Sequence, residues 1–283
     1  MSAICLVSGI HGQDIPTTVA NAISVSSANL DIAIQAVNNT INLADQTILT
    51  AWNQFGQSMV DLYNSYYNRL SNYTTVDLSV FATAISSIQN TISYTPVPIQ
   101  DYPISQLFSS VKSSAQQAAD ILSSAAASIN TAVCGSCTAK KLDNCKNKFG
   151  ARLGVSPITI DRVTDCVSAE QTRFTNIGSN VAAQYNNVLT SATNYLAVLN
   201  VCDTPAAEVL NNPAPGQRIS TQCLSDFLQN VNSLTIGVFV ADSMRNYQTE
   251  LVTYRMERCS KLVGLDIQDR TTKVLDDFSN CLG

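Results

Sequence analysis

Apolar side chains recur three and four residues apart from Leu30 to Tyr66: Leu30, Ile34, Val37, Ile41, Ala44, Ile48, Trp52, Phe55, Met59, Leu62 and Tyr66. A spacing held for five heptads sets all of them on one helical stripe. Such a stripe is stable only when covered by other helices. Shorter stripes follow at Leu78, Phe81, Ile85, Ile88 and Ile92, and from Leu107 through Val111, Ala115, Ala118, Leu122 and Ala125 to Ile129. A further one runs through Val163, Val167, Phe174, Ile177, Val181, Val188, Tyr195 and Leu199. No segment alternates with period two, so the sequence predicts an all-α fold. Its expected form is an elongated antiparallel helical bundle of long α-hairpins.

The prolines punctuate this pattern. Pro16 stands at the first segment, Pro96, Pro98 and Pro103 mark a linker, and Pro157 follows Ser156 at a helix start. Pro205, Pro213 and Pro215 share a loop with Gly216. Proline suits a first helical turn and breaks an interior, so each position reads as a boundary. The expected division is a helical region over 17–133, hinged at Pro96–Pro103 and free of cysteine, and a cysteine-stapled region over 134–283.

Charge narrows the partners. Only 13% of the 283 residues are Asp, Glu, Lys or Arg, about half the usual share. Residues 1–130 carry Arg69 and Lys112 against seven Asp, and the remainder balances 14 bases with 14 acids. No basic patch forms, so nucleic acid is not an expected partner. No apolar run reaches the roughly 20 residues of a membrane span.

The opening MSAICLVSGIHG joins a short apolar run to small residues and reads as the remnant of a secretory signal over 1–12, cut near Gly12–Gln13. Removing it takes Cys5 and leaves eight cysteines, an even set that predicts disulfides in a secreted, extracellular protein. Two sequons, at Asn38 and Asn72, are glycosylation candidates.

Eight cysteines allow 105 pairings, and spacing selects among them. Cys166 to Cys202 is 36 residues, as is Cys223 to Cys259, with the proline-rich loop between. Two antiparallel helices joined there place Cys202 against Cys223 and, about 54 Å away, Cys166 against Cys259. Extended outward, Cys145 lies 21 residues before Cys166 and Cys281 lies 22 after Cys259, which predicts a third rung. The remaining pair, Cys134-Gly-Ser-Cys137, is expected to form a local structural disulfide. A thioredoxin-like redox site needs a βαβ surround, and half a zinc site needs further ligands.

Catalytic signatures are missing from the pattern. The single histidine, His11, falls in the signal stretch, which removes imidazole from Ser-His-Asp or Cys-His chemistry. Asp276-Asp277 and Asp266/Asp269 read as solvated helix faces. The aromatics Trp52, Phe55, Tyr63, Tyr66 and Tyr67 cluster at one end of the long stripe, where packing is the expected role and a ligand cavity the alternative. No catalytic residue, cofactor or metal is predicted.

The order DCVSAEQTRF, LNVCDT, TQCLSDFLQNV and RCSKLVGLDIQDRTTKVLDDFSNCL, over about 160–283, resembles the insect family built on the tsetse EP domain. The ending Phe278-Ser279-Asn280-Cys281-Leu282 is similar to the family's closing signature. Ile267 stands where that family often carries an aromatic, and its extra cysteine near the hairpin loop has no counterpart. The resemblance implies a secreted helical protein of an insect gut, reproductive or glandular fluid, with no catalytic residues to carry over. The expected function is a non-enzymatic interaction or structural role in such a fluid, with an extracellular protein, a glycan or an apolar small molecule as partner. The alternative is a carrier holding a lipid or other apolar ligand between helices.

Overall fold

The computed structural model describes residues 14–70, 78–155, 160–198 and 221–283. The fold is all-α. Six α-helices are present among the described residues: α1 (Ile15–Leu70), α2 (Leu78–Ile92), α3 (Ile104–Thr131), α4 (Ala139–Leu153), α5 (Asp161–Val198) and α6 (Thr221–Leu282). A single 3-10 turn, Ile99–Asp101, lies between α2 and α3.

Local chemistry sets the ends. Pro16 sits in the first turn of α1, where its missing N–H costs nothing. Thr138 caps α4 by accepting from the Lys141 N–H through its hydroxyl at 3.2 Å, and Gly154 closes that helix. Ala132 turns to an extended backbone and ends α3. Pro157 lies outside the described residues.

The chain forms two compact units, and long helices contribute to both. The first takes α1 as far as Asn39, Pro103–Gln171 and Val252–Gly283; the second takes Thr40–Tyr102 and Thr172–Leu251. These units do not follow the expected division into 17–133 and 134–283. Helices of 56 and 62 residues outrun one packing unit, so the compact sets are made from pieces of separate helices. The signal stretch 1–12 lies outside the described residues.

In the first unit, α6 runs antiparallel to α4 and to the start of α5. Arg152 meets Asp277, Arg162 meets Asp266, and Glu170 meets Arg255, so steps forward on one side match steps back on the other. Helix α3 runs parallel to α6, with Ser110 beside Glu257 and Cys134 beside Leu282. The end of α4 meets the start of α1, where a Cβ on Gly150 would stand 2.6 Å from Ile15. Phe149 and Phe278 pack edge to face at 6.1 Å.

Three disulfides lie in this unit. Cys166–Cys259 and Cys145–Cys281 join α5 and α4 to α6, with Cα separations of 5.7 and 6.1 Å, and Cys134–Cys137 closes the turn between α3 and α4. In the loop-entropy view each long closure stabilises by about 2–4 kcal/mol, less where one encloses another. Cys202 and the side chain of Cys223 lie outside the described residues.

In the second unit the α5–α6 register continues: Tyr185 bonds Asp242, and Gly237 approaches Val188. Helix α1 runs parallel to α5, with Ala44 against Gly178 and Trp52 and Phe55 against Tyr185. The expected stripe of α1 is buried from Leu30 to Met59. Beyond Met59 the stripe changes residue, since Tyr63 is buried and Leu62 only half-buried. Four residues after Met59, a helix turns back to nearly the same face, and Tyr63 occupies it. The side chains of Tyr66, Leu78, Phe81, Ile85, Ile88 and Tyr195, and residue Leu199, lie outside the described set.

Candidate functional site

Titratable groups are the usual place to look for chemistry, and here they serve packing. The Asp45 carboxylate accepts from the N–H groups of Ile99 and Gln100 at 2.6 and 3.1 Å, fastening the connection between α2 and α3 onto α1. Burial holds this carboxyl above the ordinary range, against the pull of those two N–H groups and of Arg245. Arg245 is itself buried; its guanidinium lies 3.2 Å from Asp242 and donates to Asn246. Tyr185 donates to Asp242 at 3.4 Å, and burial raises its phenol well above the usual value. The expected hinge at Pro96–Pro103 is therefore pinned at its centre, with Ile99 fully buried.

Three carboxylates of the last helix, Asp266, Asp277 and Glu257, have basic partners too. Asp266 is shared by Arg270, at 2.9 Å, and Arg162, and these bonds hold it below the ordinary range. Asp277 pairs with Arg152 at 2.9 Å. Lys261 lies 2.7 Å from Glu257 and, by its hydrogen bond, lowers that carboxyl. Glu170 is buried with Arg255 at 3.4 Å. Beside them an open groove of about 640 Å³ is lined by Arg162, Glu170, Arg255, Arg258 and the Cys166–Cys259 bridge. Of its arginines, Arg162 and Arg255 pair with Asp266 and Glu170, and Arg258 donates to the Tyr254 hydroxyl.

Among the described residues no group of three His, Cys, Asp or Glu is arranged to hold a metal ion. Cys134 and Cys137 are joined to each other in a partly exposed turn, and the Cys137 N–H lies 3.0 Å from Cys134 Sγ. Asn38 is half-buried on α1 and Thr40 of the same sequon is buried. Asn72 and His11 lie outside the described residues. The aromatic cluster is packed: Trp52, Phe55 and Tyr185 have ring centroids 5.1–5.8 Å apart. Beside Phe55 and Met59 the open space is about 10 Å³.

The feature that sequence reading missed lies on α6. Its buried face carries Leu234, Val238, Ala241, Val252, Met256, Val263, Ile267 and Val274. Its exposed side carries large apolar side chains among polar ones. In the second unit that face exposes Ile236, Phe239, Val240, Tyr247 and Leu251; in the first it exposes Tyr254, Leu262 and Leu265. Their exposed fractions run from 36% to 70%, far above those of the core. The signal was present as a second three- and four-residue periodicity, half a turn from the first, and it becomes visible only once the core face is known. Patches of exposed apolar side chains are where proteins commonly meet partners. Among the described residues no helix is long and apolar enough to cross a membrane. No family model, curated protein or solved structure matches this chain.

Proposed function

We propose that this chain is a secreted, non-enzymatic interaction protein of an insect luminal or glandular fluid, related to the tsetse EP domain family, and that the outward face of α6 is its contact surface. The carrying observation is that α6 exposes Ile236, Phe239, Val240, Tyr247 and Leu251 in the second unit, opposite its buried face. Uncovered Phe, Tyr, Leu and Ile are costly to solubility and are the residue types that anchor interfaces. The disulfide staples support the extracellular setting, because such bonds persist in oxidising compartments. Scarce charge supports it further, since Ser, Thr, Asn and Gln solvate the remaining faces without recruiting ionic partners.

Carriage of a lipid has less support. Ligand sites commonly enclose about 300–1,000 Å³ and are mostly apolar; the groove of that size beside the Cys166–Cys259 bridge is open and lined by Arg162, Asp165, Glu170, Arg255 and Arg258, and the apolar space beside the aromatic cluster is about 10 Å³. Native mass spectrometry of the protein purified from its own fluid tests the reading. The expected result is protein partners and no bound lipid, with the partners lost in a Tyr247→Glu/Tyr254→Glu variant. Stoichiometric lipid, or turnover in a hydrolase or oxidoreductase panel, overturns it.

A further inference from the structure

We propose that Cys134–Cys137 is an exchangeable disulfide, opened by a small external thiol and closed again while the helices stay folded. The inference goes beyond the contact-surface reading, and every residue it uses belongs to the first compact unit.

The bridges of that unit are of two kinds. Cys145–Cys281 and Cys166–Cys259 span 136 and 93 residues, tie separate helices, and each has one cysteine buried, Cys145 and Cys166. Cys134–Cys137 spans three residues in the turn between Thr131 and Ala139, where both cysteines are partly exposed. In the loop-entropy view stabilisation grows with the length closed, so this bridge contributes least to the fold and its opening costs least. The ends of α3 and α4 have another tie besides, since Lys146 donates to the Asn130 carbonyl at 2.7 Å.

Exposure alone does not separate the bridges, because Cys166–Cys259 lines an open groove. The surroundings of the sulfurs do. Cys134 Sγ accepts from the Cys137 N–H at 3.0 Å. The Leu282 carbonyl oxygen, 3.9 Å from the same sulfur, is held at 3.3 Å by the Lys141 ammonium. Thr138 caps α4 directly after Cys137, so the positive end of that helix adjoins the turn, and its first turns carry Lys140 and Lys141 against Asp143. An N–H donor, an ammonium and a helix N-terminus all favour negative charge on Cys134. Cys166 Sγ instead has the Arg162 carbonyl oxygen at 3.4 Å, which opposes such charge, and Arg162 and Arg255 beside it are taken by Asp266 and Glu170.

A disulfide breaks most readily toward the sulfur that leaves as the better-stabilised thiolate. The external thiolate therefore attacks Cys137 Sγ and forms a mixed disulfide there. As it does, the Cys134–Cys137 bond breaks and its electron pair departs on Cys134. A second external thiolate attacks the external sulfur of the mixed disulfide and releases Cys137. The two external thiols end as one disulfide, their protons pass through solvent to Cys134 and Cys137, and two electrons have moved. No βαβ surround is required, because this is a change of state of the chain and not turnover.

Glutathione buffers of graded ratio, applied to the intact oxidised protein and followed by alkylation and peptide mapping, are the test. The expected result is labelling at Cys134 and Cys137 while Cys145–Cys281 and Cys166–Cys259 stay closed and helical circular dichroism is unchanged. The leaving sulfur is read from single variants at neutral pH. Cys134 in Cys137→Ser, which keeps the N–H donor, is expected to react with iodoacetamide several-fold faster than Cys137 in Cys134→Ser, and Lys141→Glu is expected to narrow that gap. Earlier opening of Cys145–Cys281 or Cys166–Cys259, or opening only with loss of the helical signal, overturns the proposal. So does a Cys137 as reactive as Cys134, or a gap indifferent to Lys141→Glu.

Discussion

Gly178 and Gly264 both lie inside long helices, and the same substitution is expected to move stability in opposite directions at the two. In an exposed helix interior Gly→Ala gains about 1 kcal/mol, because alanine loses less backbone entropy on folding. At Gly264 a new Cβ finds only the Ser114 carbonyl oxygen, at 3.8 Å, an ordinary contact. Gly264→Ala should therefore keep the full gain. At Gly178 the Cβ would stand 2.9 Å from the Cα of Ala44 and 3.1 Å from its carbonyl oxygen. These are backbone atoms of α1, and they yield only if α1 and α5 separate. Overpacking of this kind costs about 1–3 kcal/mol, which exceeds or cancels the propensity gain. Gly178→Ala is thus expected to fall about 2 kcal/mol below Gly264→Ala, a gap near the middle of that range. Urea denaturation followed at 222 nm measures it, with equal slopes required so that the midpoints compare directly. If Gly178→Ala is stabilised as much as Gly264→Ala, α1 and α5 do not approach closely, and the packing described for the second unit is wrong.

Asp45→Ala leaves the buried Ile99 N–H without an acceptor, and a loss of about 1–3 kcal/mol is expected. Because burial raises the Asp45 pKa, stability from that carboxyl is present below its unfolded value and lost as pH rises through the folded one. The urea-midpoint gap between wild type and Asp45→Ala should therefore widen on acidification. Asp266 behaves oppositely: its pKa is lowered by Arg270 and Arg162, so its contribution is present above the unfolded value. The gap between wild type and Asp266→Asn should close as pH falls through the folded value. Limited chymotrypsin digestion should cut after Tyr94, 76% exposed beyond the end of α2, before any site within α3. Early cleavage in α3 would contradict its buried face.

Much of the helical framework was legible because a single residue period carries it. The α3 stripe from Leu107 to Ile129 is buried at every expected position, and α1 follows its pattern to Met59. The pairings of Cys145 and Cys166 could be read because both partners sit on helices of known rise. Less visible were features that depend on contacts far apart in sequence. Nothing local to Asp45 announces that its carboxylate meets backbone groups 54 and 55 residues away. Nor does the sequence around Asn39 or Gln171 mark a boundary between compact units, since the helices continue unbroken through both. The outward stripe of α6 escaped for a related reason. Apolar residues on a second side of one helix blur its period until packing tells which side is inside.

The α5–α6 register underlies all of this, because it decides which face of α6 is covered and which is exposed. Non-reducing peptide mapping of the native protein tests it most directly. The account predicts Cys166 linked to Cys259 and Cys145 to Cys281, as placed here, with Cys202 linked to Cys223 by extension of the same register. A Cys223–Cys259 link would contradict it, since 36 residues of the one helix α6 separate those positions by about 54 Å.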